Sequence, residues 1–188
     1  MDGKIFIVFG ISGVGKTTAC QSFVTRHPNY LYVRASDLLG NVTSLTSEEL
    51  RTASRSHIIR TQALLADALR IHRTGQESRR VLIDAHSVID NDRSLIRIPV
   101  DVIRSLSPNG LIFLEADADR LVEHRKASKK MRPVRSAPEL ARQQEIARDT
   151  VCQYACELRI PLAVGTVTNG FDIAPLILSI DEAATSQL

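Results

Sequence analysis

Short apolar runs alternate along this chain with longer segments in which apolar residues recur every three or four positions. The runs are rich in β-branched and aromatic residues, as is typical of buried strands, and the longer segments are typical of amphipathic helices. Such alternation favours a parallel sheet whose strands are joined by helices. The predicted strands are residues 4–9, 30–34, 80–83, 111–114 and 162–164.

The helical segments predict a layer of helices on each face of that sheet. Thr46 and Glu49 form a plausible capping box at the start of one long helix, which Gly75 ends. The predicted helices are residues 16–26, 47–74, 100–106, 118–127, 138–157 and 174–184. The fold class is therefore α/β, with three layers around a five-stranded parallel sheet. Ligands of such sheets bind at the carboxyl ends of the strands.

A phosphate-binding loop follows the first predicted strand. Residues 10–17 read GISGVGKT, which fills every fixed position of the pattern G-x-x-x-x-G-K-[ST]. Glycines let successive backbone N–H groups turn inward around a phosphate, beside the positive end of a helix. Lys16 would then reach the β- and γ-phosphates of a nucleoside triphosphate, and the Thr17 hydroxyl would bind Mg²⁺. The predicted nucleotide contacts in the loop are Gly10, Ser12, Gly13, Val14, Gly15, Lys16, Thr17 and Thr18, the last with a helix-surface or backbone-bonded hydroxyl.

Composition narrows the class of protein. A chain of 188 residues with 44% apolar residues is long enough for one domain, here residues 1–188. The net charge of +3 describes a mixed surface and argues against a nucleic-acid partner. The chain has neither a membrane-spanning run nor a disulfide framework, which favours a cytoplasmic enzyme without a membrane partner. Two of the three cysteines, Cys152 and Cys156, are predicted on the buried face of a helix.

Several polar residues follow the predicted strands. Asp84 ends one strand, where a carboxylate can orient Mg²⁺ directly or through water. His86 could bond a phosphate, a base or a backbone carbonyl, or could serve a structural role. Asp117 is predicted to cap a helix. Ser36 and Asp37 lie where a second substrate would bind, as ribose contacts or as helix caps.

A basic segment at residues 125–137 lies between two helices. It contains Arg125, Lys126, Lys129, Lys130, Arg132 and Arg135. Phosphoryl transfer spreads negative charge over the moving group, and a loop of arginines that closes over it would stabilise that charge. The segment is therefore predicted to be a short lid, with a solvated basic loop as the alternative.

With these residues in view, the chain resembles the archaeal-type adenylate kinases, a family of P-loop nucleoside monophosphate kinases. The residues 83–89, IDAHSVI, are similar to the family's I-D-T-H-x-V-I segment, with Ala85 in place of threonine. Residues 10–18 match its phosphate-binding loop, with Ser12 in place of proline. The strand and turn at 112–117 match its L-E-A-D turn, and Ser36-Asp37 resembles its G-D element.

The resemblance implies a P-loop NTPase fold and further site residues. Arg51 and Gln62 match positions that contact the monophosphate and its base, within a segment, about 36–74, that binds this substrate. The loop around Gly165 resembles one that packs near adenine, and the lid arginines are one residue further apart than in the family. The implied reaction transfers the γ-phosphoryl group of Mg·ATP to AMP, with Lys16, Arg125, Arg132 and Arg135 stabilising charge and with Thr17 and Asp84 serving Mg²⁺.

Two other functions stay open at this point. One is a P-loop kinase of another nucleotide or small metabolite, and the other is a nucleotide-binding regulatory ATPase. The implied partners are nucleotide substrates, and related archaeal enzymes also form homo-oligomers.

Overall fold

A computed structural model describes residues 3–128 and 132–185 of the chain. Its parallel sheet has the strand order β2-β3-β1-β6-β7, and β4 and β5 form a separate antiparallel hairpin. Ile7 of the central strand pairs with Ile83 on one side and Leu111 on the other. The strands are β1 (Ile5–Phe9), β2 (Tyr30–Arg34), β3 (Arg80–Asp84), β4 (Val88–Asp90), β5 (Leu95–Arg97), β6 (Gly110–Glu115) and β7 (Leu162–Thr166).

Helices pack around this sheet, which confirms the predicted α/β fold. The helices are α1 (Lys16–Arg26), α2 (Ala35–Thr43), α3 (Ser47–Thr52), α4 (Arg55–Gln62), α5 (Leu65–His72), α6 (Val100–Ser105), α7 (Ala118–Ala127), α8 (Ala137–Leu158) and α9 (Ala174–Thr185). The helix α1 contacts β2 and β3, whereas α8 and α9 contact β6. None of the helices in the described ranges has the length and apolar character needed to cross a membrane.

Aromatic side chains from the strands and from α1 fill the centre of the core. Phe6, Phe9, Phe23 and Phe113 are fully buried. Burial of a side chain of this size stabilises a fold by roughly 1.5–3 kcal/mol. The five predicted strands agree with the observed parallel strands to within one or two residues at each end.

The long helix predicted over residues 47–74 is wrong, because this segment forms three separate helices. Its start is as predicted, since Thr46 and Glu49 form the capping box of α3. Ala53 then adopts an extended conformation, and the Ser54 hydroxyl accepts a hydrogen bond from the backbone N–H of His57. A side chain that bonds the backbone in this way starts a new helix rather than continuing the old one.

Two further differences concern α8 and the residues after β3. Cys152 and Cys156 are exposed rather than buried, because α8 turns Ala147, Val151 and Tyr154 toward the core. The hairpin of β4 and β5 was not predicted.

Asp117 caps α7 as predicted, since its carboxylate accepts hydrogen bonds from the backbone of α7.

Candidate functional site

The phosphate-binding loop connects β1 to α1 at the carboxyl edge of the sheet. Gly13 and Gly15 have φ angles of 97° and 103°, in the left-handed region that favours glycine. A Cβ atom at Gly13 would lie 3.0 Å from Cγ of Arg125. The loop therefore has the backbone form that can surround a phosphate, with the N-terminus of α1 beside it.

Lys16 lies beneath this loop and is almost completely buried, with 5% of its surface exposed. Its Nζ donates a hydrogen bond to the carbonyl oxygen of Gly10 at 2.7 Å and lies 3.8 Å from Oδ1 of Asp84. A buried ammonium ion that contacts the backbone of a phosphate loop places positive charge where phosphate oxygens bind.

Thr17 and Asp84 form the oxygen-rich side of the site. The Thr17 hydroxyl donates a hydrogen bond to Oδ2 of Asp84 at 2.8 Å, and the Tyr32 hydroxyl donates to the same oxygen at 3.2 Å. Burial and the neighbouring Asp84 carboxylate raise the pKa of Tyr32, so its hydroxyl remains a donor. Tyr32 was not predicted, because in the sequence it is an ordinary strand residue.

These oxygens fit Mg²⁺, which favours hard oxygen ligands. Among the described residues, no group of three or more histidine, cysteine, aspartate and glutamate side chains could hold a metal ion by itself. A magnesium ion at this place would therefore share Thr17 and Asp84 with phosphate oxygens and water, as is usual for this ion at nucleotides.

His86 lies against the same loop. Its Nδ1 is 3.0 Å from the carbonyl oxygen of Gly10 and 3.5 Å from Nζ of Lys16. Enclosure by the surrounding protein, and then the charge of Lys16, lower the pKa of His86, although part of the ring faces the open cleft. A neutral ring that donates from Nδ1 to Gly10 satisfies this geometry.

The cationic side of the site comes from α7 and the residues that follow it. Nε of Arg125 donates a hydrogen bond to the carbonyl oxygen of Ser12 at 2.9 Å. Desolvation, and then the neighbouring Arg132, lower the pKa of Arg125 to about 10, so it stays charged at neutral pH. Arg120 and His124 line the cleft as well and were not predicted, since they read as solvated helix positions.

The predicted lid is only partly within the described residues, because Lys129, Lys130 and Met131 lie outside them. Arg132 lines the cleft. Arg135 instead donates to both carboxylate oxygens of Asp90, at 3.1 Å each, and it does not line the cleft.

On the other side of the cleft are β2 and the helices that follow it. Ser36, Arg51 and Gln62 line the cleft there, together with Arg34. Asp37 does not line it and lies 3.3 Å from the guanidinium of Arg34.

Gly165, the predicted contact near adenine, lies in a segment of which only later residues line the cleft. Gly165 lies outside the cleft lining, and a Cβ there would approach Leu176 to 2.5 Å. Close packing against α9 therefore explains this glycine. The residues of this segment that line the cleft are Val167, Thr168, Asn169, Gly170 and Phe171.

The groups that line the cleft enclose a volume of about 1270 Å³. Of the remaining loop positions, Gly10 contributes its carbonyl oxygen and Val14 is buried in the core. The predicted site residues that line the cleft are Ser12, Gly13, Gly15, Lys16, Thr17, Thr18, Ser36, Arg51, Gln62, Asp84, His86, Arg125 and Arg132.

Comparison with known proteins gives a family and a set of relatives. The family described as AAA domain matches residues 9–141. A protein named adenylate kinase homolog from Methanothermobacter thermautotrophicus is 32% identical over 192 aligned positions, covering 94% of this chain and 92% of the relative. An adenylate kinase from Methanopyrus kandleri is 24% identical over 81% of this chain and 83% of its own length.

Solved structures share the fold at low sequence identity. A shikimate kinase from Bacteroides thetaiotaomicron superimposes with a TM-score of 0.55 at 17% identity, over 87% of each chain. A putative kinase from Chloroflexus aurantiacus gives the same TM-score at 18% identity, over 99% of this chain and 98% of its own. At such identities the likeness establishes the fold alone.

Proposed function

Because this chain belongs to the AAA domain family and is a P-loop kinase related to the adenylate kinases, we propose that it transfers the γ-phosphoryl group of Mg·ATP to AMP. The observation that carries the proposal is the convergence of Lys16, Thr17 and Asp84 in a cleft that continues past the phosphate loop toward β2. A site for ATP alone would not require the part of the cleft that extends toward β2.

The proposed donor half uses the loop, Lys16 and the α7 cations. Backbone N–H groups and Lys16 hold the phosphates, while Arg125 adds positive charge beside Ser12 of the loop. Thr17 and Asp84 would hold Mg²⁺, which would neutralise part of the negative charge of the triphosphate. His86 stays neutral and fixes the Gly10 carbonyl oxygen.

The proposed acceptor half lies beside Ser36 and Gln62. The chemistry needs alignment of donor and acceptor oxygens and stabilisation of the transferring group, and no covalent intermediate with the protein. The size of the cleft supports this arrangement, since its volume of about 1270 Å³ exceeds the roughly 300–1,000 Å³ of a pocket for one small molecule.

A second candidate is a kinase of another small anionic metabolite. It is favoured by the acceptor side, where Ser36 and Ala85 depart from the adenylate kinase pattern. One scaffold of this kind serves many acceptors.

One experiment separates these functions. The purified protein is assayed with Mg·ATP against a panel of nucleoside monophosphates and small anionic metabolites, with ADP and free phosphate followed in parallel. ADP formation that depends on AMP supports the proposal, whereas AMP-independent phosphate release contradicts it.

A matched pair of variants assigns the activity to this site. Lys16→Ala should lower kcat/KM by about 10²-fold or more, because it removes a charge that stabilises the transition state. Arg142→Ala removes an exposed charge of α8 outside the cleft lining and should leave kcat/KM unchanged.

A further inference from the structure

Arg51 is the arginine that the sequence pattern assigns to the acceptor's phosphate, but its guanidinium already has a complete set of acceptors. Nη1 donates to Oδ1 of Asp92 at 2.7 Å and to the carbonyl oxygen of Asp90 at 2.9 Å. Nη2 donates to Oε1 of Glu48 at 2.5 Å and to Oδ2 of Asp92 at 3.1 Å, and Nε donates to Oε2 of Glu48 at 3.2 Å. Every N–H group of this side chain therefore has a partner.

The surroundings of Arg51 are also unfavourable for an anion. Arg51 and Arg135 together face the carboxylates of Glu48, Asp90 and Asp92, so this cluster holds more negative than positive charge. The hydrogen bond from Arg51 lowers the pKa of Asp92, which keeps that carboxylate ionised. A phosphate that bound Arg51 would have to displace two carboxylates and approach a third.

Arg34 lies in the same half of the cleft and is held much less tightly. It ends β2 at the carboxyl edge of the sheet, beside Ser36 in the cleft lining. Its partner among the described residues is Asp37, at 3.3 and 3.4 Å, which are long distances for a charged pair. The Asp37 side chain is 55% exposed, so water weakens this pair further.

We propose that Arg34 binds the anionic group of the phosphoryl acceptor, and that Arg51 is a positioning residue that holds α3 to the turn between β4 and β5. This inference rests on the proposed function, since it names the residue that holds the acceptor's phosphate. Arg34 and Arg51 both line the cleft on the side of β2 and the helices that follow it, and Arg34 has N–H donors without a partner among the described residues.

Steady-state kinetics with AMP and ATP test the assignment. Arg34→Gln should raise the KM for AMP about tenfold or more, as expected for loss of a hydrogen bond to a charged group, and should change the KM for ATP by less than about twofold. Arg34→Lys keeps the charge and should recover part of this loss. Arg142→Gln removes an exposed arginine of α8 outside the cleft and should change neither value.

Arg51→Gln provides the contrast. It should lower the melting temperature, because the carboxylates of Glu48 and Asp92 and the carbonyl oxygen of Asp90 lose their shared partner, and should raise the KM for AMP less than Arg34→Gln does. The proposal is overturned if the KM for AMP is unchanged in Arg34→Gln, or if it rises more in Arg51→Gln.

A binding measurement separates this proposal from the proposed function. In a Lys16→Ala parent, which lacks the phosphate-loop ammonium, inorganic phosphate is titrated by calorimetry with and without Arg34→Gln. We expect phosphate to bind about tenfold more weakly to the variant without Arg34. The inference is overturned if both proteins bind phosphate equally well. It is also overturned if the Lys16→Ala parent binds no phosphate. If AMP is not phosphorylated by the wild-type protein while phosphate binding depends on Arg34, the proposed function fails and the Arg34 site stands.

Discussion

The Thr17 hydroxyl donates its hydrogen bond to Oδ2 of Asp84, which joins the end of the phosphate loop to the end of a neighbouring strand. The two residues are 67 positions apart in the chain. They meet because β1 and β3 are paired in parallel register, with Val8 opposite Asp84. The contact brings a hydroxyl and a carboxylate together at the place where the proposed Mg²⁺ would bind.

Asp84→Asn should therefore raise the Mg²⁺ concentration needed for half-maximal activity about 10–100-fold, since the amide lacks the negative charge. The measurement is a magnesium titration of the kinase rate at fixed ATP. Tyr32→Phe is the matched control, because it removes a hydrogen bond to Asp84 and keeps the carboxylate. An unchanged magnesium requirement in Asp84→Asn would exclude Asp84 from the metal side of the site.

The strands and the phosphate loop were predictable because their signals are local. A short β-rich run ending at Gly10, followed by Gly15-Lys16-Thr17, fixes strand, loop and helix within one stretch of sequence. The acceptor half was less predictable, because its geometry depends on contacts that are distant in the chain. The pairing of Arg51 with Asp92 illustrates this, since no local pattern indicates that the turn after β4 folds onto α3.

Helix boundaries were missed where a small polar residue decided between two local structures. Ser54 is a favourable N-cap residue, but a serine can also lie on the polar face of a continuous amphipathic helix. The spacing of the apolar residues does not distinguish these two possibilities. The exposed Cys152 illustrates a related problem, because α8 faces the core with Gln143 and Thr150 in addition to its apolar residues. When polar residues are buried, the face of a helix that is predicted from its apolar residues differs from the face that is actually buried.

The two arginines at the ends of the lid should have different roles. Arg125 lines the cleft and bonds Ser12, so Arg125→Gln should lower kcat about 10²-fold through loss of transition-state stabilisation. Arg135 lies on Asp90, whose side chain is only 7% exposed. Arg135→Gln should thus lower kcat by less than tenfold and reduce stability by about 1–3 kcal/mol, because a buried carboxylate loses its charged partner.

Steady-state rates and urea unfolding of both variants check this difference. A loss of kcat in Arg135→Gln as large as that in Arg125→Gln would mean that Arg135 leaves Asp90 during turnover. Equal stability of Arg135→Gln and the wild-type protein would mean that the Asp90 pair is exposed to solvent in solution.

Gly13 and Gly75 form a natural pair for testing the phosphate loop. Both have positive φ angles, 97° and 80°, so alanine at either position is strained by roughly 1–2 kcal/mol. A Cβ at Gly75 meets nothing within 4 Å, whereas one at Gly13 presses on the Arg125 side chain. Both variants should lose similar stability, and only Gly13→Ala should weaken ATP binding, as measured by calorimetry. Comparable ATP affinity in the two variants would show that the loop tolerates a methyl group at Gly13.

His86 gives a prediction for pH. Its pKa is lowered in the folded protein by the enclosing groups and by Lys16, whereas a histidine in an unfolded chain has a pKa of about 6.5. Below that pH the unfolded chain binds a proton that the folded protein does not, so this stabilising contribution is complete above about pH 6.5 and declines as the pH falls. Between about pH 6.5 and 4.5, the free energy of unfolding should decrease less in His86→Gln than in the wild-type protein.

Urea unfolding across that pH range measures how the free energy of unfolding changes with pH. An NMR titration of the imidazole measures the pKa of His86 directly. The His86 resonance, assigned by its disappearance in His86→Gln, should not titrate between pH 8 and 6. Lys16→Ala should move its midpoint upward, since the ammonium is one of the causes that lower this pKa. Parallel unfolding slopes in the wild-type protein and His86→Gln, or a midpoint near about 6.5 in the wild type, would contradict a neutral His86 beside Lys16.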